Sequence, residues 1–239
     1  MNFLITGASS GLGKELFNSL SKNSNYNFFL LSKNIDELKK IKKINKQVRI
    51  YHLDLNEIEK TKTIANQILE DSQNKIDVII CNAAEGAFGT IDDIPTDKFL
   101  SNFNVNFFSQ IRLTQLVLKY LKNSKKSSII NIGSISAKIA DRGTLAYGCS
   151  KIALMHATKI MANEFANYKI RVNGICPNAT NTKMLKKMDP KSKDALISRS
   201  FMKKICEPID VANLILYLSS KNSEYINGQI IFMDGGMEC

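Results

Sequence analysis

Tyr147 and Lys151, four residues apart in the run Tyr147-Gly148-Cys149-Ser150-Lys151, are the pair whose types and spacing best suit proton chemistry. On a helix this spacing puts both side chains on one face, the cation one turn beyond the phenol. A phenol ionises near pH ~10, and a neighbouring positive charge lowers that value. Tyr147 could then exchange a proton with a substrate oxygen near neutral pH. The same spacing also arises by chance, so its meaning depends on what the rest of the chain places around it.

The N-terminal stretch supplies a place for a phosphate. Asn2 to Thr6 reads as an apolar strand, followed at once by Thr6-Gly7-Ala8-Ser9-Ser10-Gly11-Leu12-Gly13 and a helical run from Lys14 to Leu20. Strand, glycine turn and helix present free backbone N–H groups and a helix N-terminus to an anion. The second strand, Asn27 to Leu31, ends in Ser32-Lys33-Asn34. In a dinucleotide-binding fold this tip meets the adenosine ribose, and an acidic residue there would favour NAD. A hydroxyl and a cation suit a 2′-phosphate instead, so NADP(H) is expected over NAD(H), although Lys33 also fits a solvated loop. Val48 to Leu53 is a third strand, followed by Asp54 and Leu55. Asp54 could bond the adenine amino group or, with Glu57 three residues on, cap the next helix.

The remaining elements continue the alternation. Strands are expected at Asp77 to Cys81, Ser128 to Ile132, Ile170 to Cys176 and Gly228 to Met233. Helices are expected at Thr96 to Tyr120, Tyr147 to Asn167 and Pro208 to Ser219. The order implies an α/β architecture, a doubly wound, mostly parallel sheet of about seven strands flanked by helices, in one Rossmann-type domain over residues 1–239. Asn102, Asn104 and Asn106 inside one helix are poor interior residues and mark an irregularity or a purpose.

Hydrophobic content of 44% and charged content of 23% are those of an ordinary globule. No apolar run approaches the ~20 residues of a membrane span, and the N-terminus runs straight into a strand with no leader pattern. Five scattered cysteines and two histidines speak against a metal site. They fit reduced thiols in the cytoplasm. The net charge of +11 raises nucleic acid or an acidic partner. The excess lies in lysine-rich stretches, Lys39 to Lys46, Lys122 to Lys126 and Lys183 to Lys204, which read first as solvated surface. Neither a nucleic acid nor a membrane is expected as partner.

Six segments in this order and spacing resemble the short-chain dehydrogenase/reductase family in its compact form, over essentially the whole chain. The glycine loop is similar to the family's cofactor turn, with Gly7, Ser9, Ser10, Gly11, Leu12 and Gly13 as the implied contacts. Asn82-Ala83-Ala84 resembles its Asn-Ala-Gly segment. Pro177-Asn178-Ala179-Thr180-Asn181-Thr182 resembles its Pro-Gly-x-x-x-Thr stretch, which implies cofactor contacts at Pro177, Asn178, Thr180 and Thr182. Asp234-Gly235-Gly236 resembles its closing turn. Ser134, thirteen residues before Tyr147, and Asn106 fall where the family places a catalytic serine and a relay asparagine.

The resemblance implies hydride transfer between NADP(H) and a carbonyl/alcohol pair. Tyr147 is the implied general acid/base, and Ser134 would hydrogen-bond the substrate oxygen. Lys151 would lower the tyrosine's pKa and hold the nicotinamide ribose, while Asn106 would link that lysine to solvent through its carbonyl and a water. Cys149 and Ser150 are expected to be bystanders. Two departures stand out: Ala84 in place of a glycine, and Asn178, which tolerates the positive φ a glycine would supply. Residues 179–207 are expected to form an amphipathic, mobile substrate lid.

The nearest subfamily resemblance is to 3-oxoacyl-(acyl-carrier-protein) reductases, because a basic surface suits an acidic carrier. A reductase of a sugar or other small-molecule ketone is the alternative. A nucleotide-binding regulator without turnover is the reading from another class, and the intact set Asn106, Ser134, Tyr147 and Lys151 argues against it. The family usually pairs its two long helices, which implies a homo-oligomer, dimer or tetramer.

Overall fold

The central strands, Asn2–Thr6 and Val78–Cys81, are near-continuous apolar runs because both of their faces are covered. In the computed structural model, which describes residues 1–124, 127–186 and 188–237 and only the backbone of Lys183 and Met184, they lie in one seven-stranded sheet. The strands are β1 (Asn2–Thr6), β2 (Asn27–Ser32), β3 (Val48–His52), β4 (Val78–Cys81), β5 (Ser127–Ile132), β6 (Ile170–Pro177) and β7 (Ile230–Met233). Their order is β3-β2-β1-β4-β5-β6-β7, and every neighbouring pair is parallel.

Alternate residues of one strand enter opposite cores. Leu4, Ile79, Ile129 and Val172 face one side, covered by α3 (Lys60–Asp71), α5 (Ser109–Leu121) and α6 (Leu145–Glu164). Phe3, Ile5, Ile80 and Ile130 face the other, covered by α1 (Gly11–Leu20), α2 (Ile35–Ile44) and α9 (Pro208–Ser219). The strand order reverses between β1 and β4, and this places a crevice beyond their carboxyl ends.

The expected elements are present with shifted ends. Asp77 lies just before β4, its carboxylate accepting hydrogen bonds from the Asn2 backbone N–H and the Ser124 hydroxyl. The last strand starts at Ile230 rather than Gly228, whose φ of 73° belongs to the preceding turn. The helix expected from Tyr147 begins two residues earlier, at Leu145. The helix expected over Thr96 to Tyr120 is α4 (Thr96–Phe103), a π-helical turn at Asn104–Phe108, and α5. The π turn falls on the asparagine-rich stretch.

Residues 179–207 carry two short helices, α7 (Lys183–Lys186) and α8 (Pro190–Arg199). The ends of this segment are tied together, with the Cys206 N–H donating to the Ala179 carbonyl at 3.1 Å and Asn181 N–H to that of Cys206 at 2.9 Å. Helix α8 has no fully buried residue, so an amphipathic cover is not evident in its packing. Of the stretches singled out in the sequence, Lys125, Lys126, Lys187 and Cys239 lie outside the described residues.

Candidate active site

The glycine turn is held open by packing on both sides. Gly7 and Gly11 have φ of 69° and 54°, and a Cβ on Gly13 would stand 2.5 Å from the Gly7 carbonyl oxygen and 2.6 Å from the Asn82 amide nitrogen. The Asn82 amide donates to the carbonyls of Thr6 (2.9 Å) and Gly7 (3.3 Å), while the Thr6 hydroxyl accepts from the N–H groups of Asn82 and Ala83, both at 3.0 Å. This stitches the ends of β1 and β4 together beneath the crevice. Ser10, at the N-cap of α1, makes no side-chain capping bond, and the first turn holds no acidic residue. The N–H groups and positive end of the helix dipole therefore remain available to an anion.

The other expected nucleotide contacts lie around this turn. Ser9 and Ser32 hydroxyls are 2.7 Å apart, Ser32 also accepts from the Asn34 N–H, and Lys33 is exposed at the tip. The Thr182 methyl lies 3.5 Å from where a Cβ on Gly11 would be. Ala84 is exposed at the crevice mouth. The side chains of Leu12 and Leu55 are buried in the two cores, so they offer a ligand only backbone. Asp54 does not cap α3, which starts at Lys60. Its carboxylate instead accepts from the Asn56 N–H at 3.0 Å in a local turn. Asn178 follows Pro177 and donates its backbone N–H to the Met233 carbonyl, and its φ is not positive, so the asparagine is not substituting for a left-handed glycine. The Thr180 hydroxyl donates to the Asn178 carbonyl at 2.9 Å.

Ser134, Tyr147, Lys151 and Asn106 come together beyond the end of β5. Tyr147 and Lys151 occupy the first two turns of α6, only 9% and 1% exposed. Burial pushes the Tyr147 phenol above its ordinary value, and a hydrogen bond with Ser134 pulls it partly back. The Lys151 ammonium donates to the Ile132 carbonyl at 2.8 Å and lies 5.8 Å from the tyrosine ring centre. Burial brings its own pKa down to about 8, opposed by the neighbouring thiols of Cys176 and Cys81. A lowering through Ser134 thus acts on the phenol, with the Lys151 ammonium held one turn further along α6.

Asn106 is fully buried, and its side chain organises the loop beside it. Its Oδ1 accepts from the Glu85 N–H at 2.8 Å, and its amide donates to the Glu85 carbonyl and to the Ser150 hydroxyl, both at 2.9 Å. Asn102, one turn earlier, accepts from the Ala87 N–H at 3.4 Å. The two asparagines thereby grip the loop after β4. That loop carries Phe88, whose ring lies 5.4 Å from the Tyr147 ring, and Gly89, whose N–H donates to the Gly143 carbonyl at 2.9 Å. Ser150, expected as a bystander, accepts from Asn106 and donates its hydroxyl to the Tyr147 carbonyl at 2.7 Å. Nothing in the residue pattern marked Glu85 or Phe88, and Ser150 was expected only as a neighbour of Tyr147 and Lys151. The three asparagines were the one signal pointing to this region.

A nucleotide crevice facing a buried tyrosine, lysine and serine is the arrangement of a Rossmann-type oxidoreductase. The chain belongs to the short-chain dehydrogenase/reductase family: a family model described as Enoyl-(Acyl carrier protein) reductase matches residues 7–238. It is 31% identical over 98% of its length to the 3-oxoacyl-[acyl-carrier-protein] reductase FabG of Buchnera aphidicola subsp. Baizongia pistaciae, covering 96% of that protein. It is 29% identical, with the same coverage, to the protein of that name from Thermotoga maritima. It is also 28% identical to the 7alpha-hydroxysteroid dehydrogenase of Escherichia coli K12, covering 98% of this chain and 92% of that one. Among solved structures, ElxO with NADP bound superposes with a TM-score of 0.89 at 27% identity, covering 99% of this chain and 98% of the other.

Proposed function

We propose that this protein is an NADP(H)-dependent carbonyl reductase with Tyr147 as its general acid. The observation that carries this reading is the convergence of Ser134, Tyr147 and Lys151 at the carboxyl end of β5, beside the glycine turn. The uncapped N-terminus of α1 and the close approach at Gly13 fit a pyrophosphate, and the Ser9–Ser32 pair with exposed Lys33 fits a 2′-phosphate. NADPH, when bound, supplies the hydride that goes to the carbonyl carbon. The chain's own residues handle the oxygen. Ser134 orients it by hydrogen bonding, and Tyr147 gives up its phenolic proton to it, so that ketone, hydride and proton make one alcohol. Burial that keeps the phenol protonated suits it to act as the acid in this direction. Lys151, fixed by the Ile132 carbonyl, lies within reach of a ribose beside the phenol.

For the substrate we favour a 3-oxoacyl thioester on an acidic carrier. Support comes from the two relatives that bear that name and from the net charge of +11. At the start of α6, next in sequence to Tyr147, lies a cleft of about 410 Å³ with apolar walls at Ile91, Ile139, Leu145 and Ile152 and a cation at Arg142, which would suit an acyl chain joined to an anionic carrier arm. A free small-molecule ketone is the second reading, favoured by the hydroxysteroid dehydrogenase relative. Residues 179–207 would cover this cleft as a lid, with Arg199 of α8 paired to Asp141 on the cleft wall at 2.8 Å. Unpaired thiols at Cys81, Cys149, Cys176 and Cys206 suit the cytoplasm.

Self-association through α4, the π turn, α5 and α6 would cover exposed apolar side chains that include Leu100, Phe108 and Ile160. The ring contacts from Phe99 through Phe103 to Phe108, the first pair stacked, suit a partner helix.

The test is reduction of an acetoacetyl thioester with NADPH, followed at 340 nm. No absorbance loss refutes the carrier-linked substrate. Tyr147→Phe is expected to lower kcat by about 10²-fold or more while NADPH still binds.

A further inference from the structure

The Asn106 amide has two hydrogens and one strong acceptor: Glu85 takes one hydrogen and fills the acceptor, and Ser150 takes the other at 2.9 Å, with the Asn102 Oδ1 a longer contact at 3.5 Å. Ser150 then passes its own hydrogen to the Tyr147 carbonyl. Asn106 and Ser150 are both fully buried, so no water competes for these bonds. The chain of bonds therefore runs in one direction, from the loop after β4 through the π turn to the first turn of α6, and each bond polarises the next. The same loop returns at Phe88 to pack against the ring of Tyr147. Backbone and ring of one tyrosine are thus tied to a single loop, by two routes. A serine hydroxyl bonded to the carbonyl three residues back is common inside helices and by itself signifies little. The distinguishing feature here is the buried second bond, to a different element.

We infer that Ser150 is a positioning residue for Tyr147, joining α6 to the Asn106-held loop so that the phenol and the loop carrying Phe88 keep one geometry. This rests on the reductase reading for its kinetic test, but not for its structural one. The protein has the serine between its tyrosine and lysine because a hydroxyl can accept from Asn106 and donate to Tyr147 at once. Alanine can do neither, and it leaves that Asn106 hydrogen with only the long 3.5 Å contact to the Asn102 Oδ1.

In the full-length enzyme, S150A is expected to lower kcat by roughly tenfold with little change in the KM for NADPH, the signature of a displaced reacting group. The loss should pass through Asn106, so in an N106A background the same S150A change should cost less than about twofold. S150C, whose thiol makes both bonds weakly, should fall between wild type and S150A and carries the test if S150A does not fold. A kcat for S150A within about twofold of wild type, or a full tenfold loss persisting in N106A, overturns the inference. If the wild type turns over no carbonyl compound, the reductase reading fails separately, and hydrogen exchange at the Glu85 amide then tests the network. Faster exchange in S150A or S150C is expected, and unchanged exchange overturns the proposal.

Discussion

Replacing Lys151 by methionine is expected to stabilise the fold while removing function. The ammonium is 1% exposed, and its partner is a carbonyl, that of Ile132 at 2.8 Å, rather than a carboxylate. The thiols beside it, Cys81 and Cys176, are pushed by burial up to about 12 and about 11, so they are neutral at pH 7 and offset little of its charge. Burial lowers the lysine from 10.5 to about 8. At roughly 1.36 kcal/mol per pH unit, keeping the charged form buried at pH 7 costs about 3 kcal/mol. Methionine has a similar length and no charge, but it leaves the Ile132 carbonyl without its donor, a loss of about 1 kcal/mol. The net gain is about 2 kcal/mol, or roughly 4–8 °C in Tm for a chain of this size.

The pH dependence gives the sharper test. Between pH 8 and 10.5 the unfolded chain holds the lysine proton and the native state does not, so wild-type stability rises with pH across this window. Below pH 8 both states carry the proton and the full cost applies. The advantage of K151M should therefore be constant below pH 8 and close progressively towards pH 10.5. Other groups titrating there, Tyr147 included, contribute to both proteins and largely cancel in the difference. Urea unfolding of the pair at pH 7, 8, 9 and 10 measures it. A K151M protein less stable than wild type at pH 7, or a gap that does not narrow with pH, refutes the reasoning.

Other perturbations probe the remaining parts of the site. Gly13→Ala drives a methyl against the Gly7 carbonyl at 2.5 Å and the Asn82 amide at 2.6 Å, so it should destabilise the fold by about 1–3 kcal/mol and weaken NADPH binding in a fluorescence titration. Unchanged affinity would mean the turn does not hold the pyrophosphate. Lys33→Glu should reduce the NADPH-over-NADH ratio of kcat/KM by about tenfold or more, the weight of one charge-assisted hydrogen bond. Equal use of both cofactors by the parent would remove the argument from Ser32 and Lys33. Phe108, 48% exposed among the apolar side chains of α4 to α6, should when changed to glutamate shift sedimentation towards the monomer. A monomeric parent would refute the pairing of these helices.

The strand-and-helix alternation was legible because parallel strands buried on both faces leave unbroken apolar runs such as Phe3-Leu4-Ile5 and Val78-Ile79-Ile80. Glycines whose missing Cβ makes room for neighbouring backbone were legible for a similar reason: Gly7 and Gly13 record contacts with Ala83 and Asn82 that no other residue type would allow. Direction and partner were not legible. Spacing put Tyr147 and Lys151 on one face of a helix, yet it could not reveal that the ammonium donates to the Ile132 carbonyl or that Ser134 bonds the phenol. Asp54 was compatible with a cap until the helix proved to start six residues later. Asn178 resembled a glycine substitute on propensity alone, while its φ is set by pairing with Met233 and Asp234 in a distant strand and turn. Ser150 is the sharpest case. Its meaning lies in Asn106, 44 residues away, and a hydroxyl in a helix carries no mark of such a partner. What a sequence discloses about a site of this kind is therefore the set of groups near the chemistry. The bonds that rank them, here from Glu85 through Asn106 and Ser150 to Tyr147, come only from the packing of loops and helices that are far apart in the chain.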